Sequence, residues 1–497
     1  MNITLNPNYV LKNDDGCVLL IGKRLLPDNE ASEDSVLSVI HPFHAMILSF
    51  VNGDDYDVIL DRASDQLQVS RDKIKKFIDS LIENKTHIGP AYKDVHIGFP
   101  KHTIIKSDFK RLESYKVEDF AYNHVDVRMK RHKTPSHVIF MLNNKCVTDC
   151  IYCYADKRIP TECKIPFERF TEIIAEAKKL DVVNLNLIGG EVFLYKHWKK
   201  LVKLCLDYDY DPNLSTKYPL SEDDVKYLAT LNISYLQISL DTMIPEHLKQ
   251  ILCVNNDYIE KMKKTFEYLK KHKVPTVVHT ILNSKNSTTE DMISIYDFLK
   301  QFDNIKFWMP ECVSASIYIK NFDLYKANTN NIAQLQECIE NLKEISKFNI
   351  INGLYNVIVG SNNENTNSQI TENKSISEWI KTKGVCTANL SGFQVLPTGD
   401  VTLCEQLYWH PKFIIGNVLT QSLEEIWNSE KAKSLFYIKQ SEFHDDSACA
   451  SCEEFNECRY PKQVCYRDLI KVYGNDKWYY PDVNCPKAPK PIYNIKY

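Results

Sequence analysis

The sequence has no long apolar run. Its hydrophobic stretches are short, and none approaches the roughly 18–20 residues that a membrane span needs. Its first residues, MNITLNPNYVLKNDDG, lack the basic segment followed by an apolar core that marks a secretory signal. The expectation is therefore a cytoplasmic protein. A strong charge of one sign is missing too. Lys plus Arg number 61 against 65 Asp plus Glu, a net charge of −4. That gives no basis for a general affinity for nucleic acid or anionic membrane. Charged residues at 25% and apolar ones at 44% are ordinary for a globular chain. Its 497 residues leave room for several cores.

What the sequence does have is cysteine, 16 in all. Disulfides are disfavoured in the cytoplasm, so clustered cysteines read as metal ligands. Three lie between 146 and 153, and seven between 386 and 485. The other six (Cys17, Cys163, Cys205, Cys253, Cys312, Cys338) are scattered and read as small buried apolar residues.

Three regions differ in pattern. Residues 1–110 open with short extended runs, among them VLKNDDGCVLLIG with a turn at Asp14-Asp15-Gly16. Helical patterns follow. HPFHAMILSFVNG starts on a proline and is expected to stop at its glycine. Asp54 to Ala63 repeats apolar residues at helical spacing, and Ser70 is expected to cap RDKIKKFIDSLIEN. Strands followed by three helices make a winged-helix-like module. Residues 111–136 are charged and pattern-poor, and read as a linker. Residues 137–350 alternate strands (HVIFML, VVNLNLI, PNLST, NISYLQISL, TVVHTIL, IKFWM) with amphipathic helices. This α/β alternation predicts a parallel sheet of about six β–α repeats, with ligands at the carboxyl ends of its strands. Residues 351–383 read as a linker whose polar part, 361–375, is expected to be a mobile loop. Residues 384–497 hold the second cysteine group and little periodicity, as expected of a small domain that leans on metal.

NNKCVTDCIYCYAD follows the strand HVIFML directly and spaces Cys146, Cys150 and Cys153 as C-x3-C-x2-C. Three thiolates on one tight loop suit three irons of a 4Fe–4S cube and leave one iron open. A closed zinc site needs four ligands, and this loop offers three. The loop resembles the signature of the radical SAM superfamily, with Tyr152 at its aromatic position. The resemblance covers residues 137–350 and implies a partial (β/α)6 barrel that binds S-adenosylmethionine. On it, Gly189, Gly190 and Glu191 at the end of the second strand look like the family's Gly-Gly-Glu motif, which meets the methionine amino end. Ser215 and Lys217 in NLSTK look like residues for the ribose and carboxylate. Ser239 and Asp241 in LQISLD point to the same rim, and Asn283 to the adenosine.

The later cysteines run Cys386, Cys404, Cys449, Cys452, Cys458, Cys465 and Cys485. The C-x2-C pair at 449 also occurs in zinc ribbons. Their order, with FIIGNVLTQSLEEIWNSEK between them, resembles the SPASM domain of peptide-modifying radical SAM enzymes. That resemblance implies one auxiliary 4Fe–4S cluster on Cys449, Cys452, Cys458 and Cys485. It implies a second on Cys386, Cys404 and Cys465, so three clusters in all. Six residues separate Cys458 from Cys465, more than the family usually has, which leaves Cys465 in doubt. Glu405 stands where relatives carry Asp, a position for taking a proton from the substrate.

The recognition-helix candidate Arg71 to Glu83 carries four basic against three acidic residues, too thin a surplus for phosphate binding. The module instead resembles the peptide-recognition domain of enzymes that modify ribosomally made peptides, where a leader adds a strand to a sheet edge. Together these resemblances imply a radical SAM/SPASM peptide maturase, fed electrons by a flavodoxin- or ferredoxin-type donor. It would abstract a hydrogen from a precursor peptide and install a crosslink, with a thioether favoured. Two alternatives stay open: a maturase of a folded protein side chain, as in sulfatase activation, and a zinc-containing winged-helix regulator.

Overall fold

The computed structural model describes residues 1–23, 37–89, 91, 92, 95–110, 115–319, 321–354, 375–493 and 495. The polar stretch 361–375 lies outside them apart from Ser375, which forms a capping box with Glu378 at the start of the helix Ile376–Thr382. The chain divides into two compact units. One holds Met1–Ser136 with Asp181–Asn184, and the other holds His137–Leu180 with Leu185–Tyr497.

Among its described residues the first unit has two three-stranded antiparallel sheets, one antiparallel strand pair and three α-helices. Strands β1 (Asn2–Leu5), β2 (Tyr9–Asp14), β3 (Cys17–Gly22) and β4 (Leu37–Ile40) precede helix α1 (Pro42–Ser49). Strand β5 (Asn52–Asp55), helices α2 (Tyr56–Leu67) and α3 (Arg71–Leu81), the pair β6 (Ala91–Tyr92) and β7 (Val95–His96), and β8 (Ile104–Lys106) follow. The sheets run β2-β3-β4 and β5-β1-β8. This is the winged-helix-like layout. Helix α1 stops at Ser49 rather than at Gly53, because Asn52–Asp55 is drawn into pairing with β1. Gly53 serves that strand: its φ is +92°, and a Cβ there would meet Phe109 O at 2.5 Å. Ser70 holds the N-cap position of α3 but makes no side-chain cap bond. Helix α3 buries Ile74, Ile78 and Leu81, spaced as one helical face requires. The stretch expected as a linker packs into this unit's core through Phe120 and Val127, and Tyr115 Oη accepts from Leu11 N at 2.9 Å.

The second unit carries the strand–helix series. Its strands are β9 (His137–Met141), β10 (Asn184–Ile188), β11 (Leu214–Thr216), β12 (Leu236–Ser239), β13 (Thr276–Leu282), β14 (Ile305–Cys312) and β15 (Asn349–Ile350). Its helices are α4 (Phe167–Lys179), α5 (Trp198–Asp207), α6 (Glu222–Leu231), α7 (Pro245–Leu252), α8 (Tyr258–Lys271), α9 (Thr289–Leu299) and α10 (Ile332–Ile345). Helix α4 buries Phe170, Ile173, Ile174 and Ala177 on one stripe. The six expected strands are present, divided between two sheets that do not close. β11-β12-β13-β14-β15 is parallel throughout. The other sheet runs β10-β9-β16-β17-β18. Here β16 (Gly392–Val395) lies parallel to β9, and β17 (Asp400–Thr402) and β18 (Ile414–Asn417) continue antiparallel. The C-terminal segment thus begins as a strand of the barrel sheet. Among the described residues no helix is long and apolar enough to cross a membrane.

Candidate active site and cluster sites

The cysteine loop leaves the end of β9, and the two asparagines ahead of Cys146 fix its shape. Asn143 Nδ2 donates to Glu191 O (2.9 Å), and Gly190 N donates to Asn143 O (2.7 Å). Asn144 Nδ2 donates to Asp156 O and Ile159 O, both at 2.8 Å, and its Oδ1 accepts from Thr161 N at 2.5 Å. On the far side, Asp149 N and Ile151 N donate to Leu252 O and Ile251 O, each at 2.9 Å. Those carbonyls belong to the last turn of α7, where a helix leaves acceptors unpaired. Thr148 Oγ1 lies 3.3 Å from both Cys146 Sγ and Cys150 Sγ, and Cys153 N donates to Cys150 O at 3.1 Å. All three cysteines therefore sit on one pinned loop.

The glycines act on that loop. A Cβ at Gly190 would stand 2.1 Å from Lys145 O, and one at Gly189 would stand 3.0 Å from Asn143 O. Side-chain-free residues are needed here so that the end of β10 can press against the cysteine loop itself. Glu191 is 2% exposed. Burial raises its carboxyl to about 7, against bonds from Phe193 N, Thr216 and Lys217 N that favour the anion.

Next to the loop is a buried polar triangle. Asp241 Oδ2 accepts from Tyr152 Oη (2.6 Å) and Lys217 Nζ (3.0 Å), while its Oδ1 accepts from Ile281 N (3.1 Å). Lys217 Nζ lies 5.6 Å from the Tyr152 ring centroid. Burial alone would depress the Lys217 ammonium. The Asp241 carboxylate and the Cys150 and Cys146 thiols outweigh it, so its pKa lies above the usual lysine value. Three expected residues are thereby brought together: Tyr152 from the loop, Lys217 from the end of β11 and Asp241 from the end of β12. Ser215 is held by Gln237, whose Nε2 donates to its Oγ at 2.8 Å. Ser239 ends β12 in register with His279 of β13. Asn283 is taken up by its own turn: Nδ2 donates to Ile281 O (3.1 Å) and Oδ1 accepts from Lys285 N (3.0 Å).

The seven later cysteines form two groups. Burial pushes Cys404 up to about 12, with Glu405 and Cys386 acting in the same direction. Cys465, at the N-cap of the helix Tyr466–Tyr473, is raised by burial and by Asp468, with Cys386 adding and Arg467 opposing. Cys386 thus acts on both Cys404 and Cys465. Cys485 is pushed up to about 11 by burial, and Cys458, Cys449 and Cys452 all add to it. Among the described residues no three His, Cys, Asp or Glu side chains converge on a single metal-ion position.

The surroundings of the four-cysteine group fit an anionic cluster. Arg459 is 3% exposed. Its Nη2 lies 3.3 Å from Cys449 Sγ and donates to Tyr480 O at 2.7 Å, while Nε and Nη1 have no partner. A buried guanidinium without a counter-charge is costly, and buried donors normally have acceptors. The thiolates and sulfides of an iron–sulfur cluster supply both the charge and the acceptors.

Sequence reasoning missed four things here. Helix α7 and its carbonyls were not foreseen. Neither was the pair formed by His279 Nε2 and Glu311 Oε2 (3.3 Å) on the inner face of β13 and β14. Arg459 passed unnoticed beside Cys458. An apolar wall against Cys153 also went unread: Tyr154, Tyr318, Tyr408 and Trp409 pack there with Met141, Ala155 and Leu396. Glu405 lies near enough to that wall for its charge to add to burial in raising Tyr154 and Tyr408. The runs CIYCY and QLYW were the available signal for the wall.

Residues 141–299 match the radical SAM superfamily, and residues 386–453 match the SPASM iron–sulfur cluster-binding domain. The chain carries a radical SAM domain followed by a SPASM domain. It is 26% identical over 154 residues to the sporulation killing factor maturation protein SkfB of Bacillus subtilis, a match spanning 31% of this chain and 37% of that one. To the PqqA peptide cyclase of Rhizobium meliloti it is 21% identical over 341 residues, 65% of this chain and 82% of the relative. In fold, the radical SAM/SPASM chain resembles Streptococcus suis SuiB solved with its precursor peptide SuiA. The TM-score is 0.62 at 15% identity, covering 98% of this chain and 100% of the other.

Proposed function

We propose that this radical SAM/SPASM enzyme matures a ribosomally made precursor peptide and installs a thioether crosslink in it. The observation that carries the reading is the pinned loop of Cys146, Cys150 and Cys153, locked to the Tyr152–Lys217–Asp241 triangle at the carboxyl ends of the strands. A 4Fe–4S cluster on those cysteines supplies, with S-adenosylmethionine bound, the reductive cleavage that yields methionine and a 5′-deoxyadenosyl radical. The chain's own groups prepare that chemistry. Lys217 and Asp241 hold opposite charges beside the loop, and Gly189, Gly190 and Glu191 fix the loop against β10. Ser215 and Ser239 line the rim where the nucleoside would lie. The apolar wall keeps water from Cys153. Glu405, near it, takes the proton released as the crosslink forms.

Cys449, Cys452, Cys458 and Cys485 would hold one auxiliary cluster and Cys386, Cys404 and Cys465 the other, three clusters with the first. The N-terminal module would take the leader by strand addition at an edge of β2-β3-β4, holding the substrate at high effective concentration. A flavodoxin- or ferredoxin-type protein would supply electrons. The maturation role named for SkfB and the peptide-bound SuiB structure support this reading. The test is anaerobic reconstitution with dithionite. The wild type is expected to form 5′-deoxyadenosine and Cys150→Ala to form none. Co-expression with a candidate precursor peptide is expected to show the loss of two hydrogens from it by mass spectrometry. An unchanged peptide mass would refute crosslinking. A wild type that makes no 5′-deoxyadenosine would refute the radical reading.

A further inference from the structure

Each auxiliary group has an arginine at one of its sulfurs, but the two arginines are balanced differently. Arg467 lies close enough to Cys465 for the two to act on each other electrostatically and is paired with Asp468, with Nε and Nη2 at 2.8 and 2.6 Å from Oδ1. Arg459, beside Cys449, has no carboxylate partner among the described residues and sits over the Phe443 ring, with Cζ 4.8 Å from the centroid. Lys383 adds a second cation to the same group: its Nζ lies 3.4 Å from Cys458 Sγ and donates to Cys458 O at 2.9 Å. The four-cysteine group therefore faces two cations, each bonded to a different sulfur, with the Asp482 carboxylate acting on Lys383 but not bonded to Arg459. The three-cysteine group faces an arginine whose charge is already answered. Hydrogen bonds to the ligand sulfurs and local charge set the potential of an iron–sulfur cluster. A neighbouring cation stabilises an added electron, and more strongly in a dry interior than in water.

We propose that Arg459 and Lys383 raise the reduction potential of the cluster at Cys449, Cys452, Cys458 and Cys485 above that of the cluster at Cys386, Cys404 and Cys465, making it the terminal electron acceptor within the chain. This rests on the cluster reading above. A carbon radical and a thiol combine to a thioether, one proton and one electron. The proton goes to a carboxylate. With both clusters bound, that electron would come to rest on the four-cysteine cluster, the one that Arg459 and Lys383 face. A one-electron carrier protein of flavodoxin or ferredoxin type then removes it.

The experiment is an EPR-monitored redox titration of the anaerobically reconstituted full chain, with iron and sulfide counted. Cys452→Ser, lacking one ligand of the four-cysteine cluster, identifies that cluster's signal. Arg459→Gln is expected to lower its midpoint by at least tenfold in the reduction equilibrium, about 59 mV, and to leave the other midpoints in place. Arg459→Lys, which keeps the charge, is expected to restore most of the shift. Lys383→Met is expected to move the same midpoint downward, and it decides the matter if Arg459→Gln loses iron. An unmoved midpoint at full iron content overturns the proposal, and so does a wild-type midpoint below that of the three-cysteine cluster. A wild type that binds only one cluster's worth of iron overturns the cluster reading instead.

Discussion

Asp241→Asn is a direct test of the polar triangle. The carboxylate is fully buried and accepts from Lys217 Nζ at 3.0 Å, Tyr152 Oη at 2.6 Å and Ile281 N at 3.1 Å. An asparagine keeps an acceptor for Ile281 N but turns donors towards an ammonium and a phenol. It also strands Lys217, whose side chain is only 13% exposed. Removing one partner of a buried ion pair costs about 3–5 kcal/mol, because the other charge stays buried. Lys217→Met should cost a similar amount by stranding the carboxylate. The double variant carries neither charge, and its loss should fall short of the sum of the single losses by about 2–3 kcal/mol. The assay is urea denaturation of the reduced, cluster-free chain, followed by tryptophan fluorescence. Trp308 is fully buried in the same sheet and donates to Thr280 Oγ1 at 2.8 Å, so it reports on this region. If the two single losses add to within about 0.5 kcal/mol, Lys217 and Asp241 act independently and the triangle is not a unit.

Two further outcomes follow from the same site. The folded chain holds the Glu191 proton up to about 7, whereas an unfolded chain releases it near the ordinary 4.5. Stability should therefore fall as pH rises through that window, by on the order of 3 kcal/mol, and level off above it. Glu191→Gln should flatten the slope in urea midpoints taken between about pH 5 and 8, and an equal slope in both proteins would reject the assignment. Gly190→Ala places a methyl 2.1 Å from Lys145 O, so the cysteine loop must shift. Reconstituted Gly190→Ala should lose iron from the first site and keep the auxiliary iron. Full iron content would show that the loop tolerates the displacement.

How much could be read in advance depended on distance along the chain. The cysteine spacing, the Gly-Gly-Glu turn and the strand–helix alternation are local patterns, and they led to the loop, the strand end and the six strands. Helix α7 was passed over because its eight residues sit close ahead of the stronger pattern of α8. The partner of Lys217 lies 24 residues on and could only be offered as a rim residue. The pairing of β16 with β9 joins Gly392 to His137, and no periodicity reports a contact between such remote segments. Residues 111–136 looked like a linker because charge dominates the pattern there. Phe120 and Val127 are buried in the core with Tyr115 and Val125 packed against it, and four apolar residues so spaced make no period. Arg459 was invisible for another reason. An arginine beside a cysteine reads as surface until the fold buries it without a carboxylate.

The place of β16 beside β9 has a practical consequence. Four registered pairs, from Gly392↔His137 to Val395↔Phe140, and a glycine whose Cβ would meet His137 O at 2.2 Å weld the C-terminal segment to the strand that launches the cysteine loop. A chain cut short before residue 384 would not be a clean catalytic core. It would present β9 as a raw edge, with unpaired N–H and C=O groups ready to template association between chains. Grafting the C-terminal segment onto another barrel would likewise require a vacant strand slot rather than a flexible tether. The spacing between the first cysteine group and the later ones is thus set by sheet hydrogen bonds, and lengthening a loop would leave it unchanged.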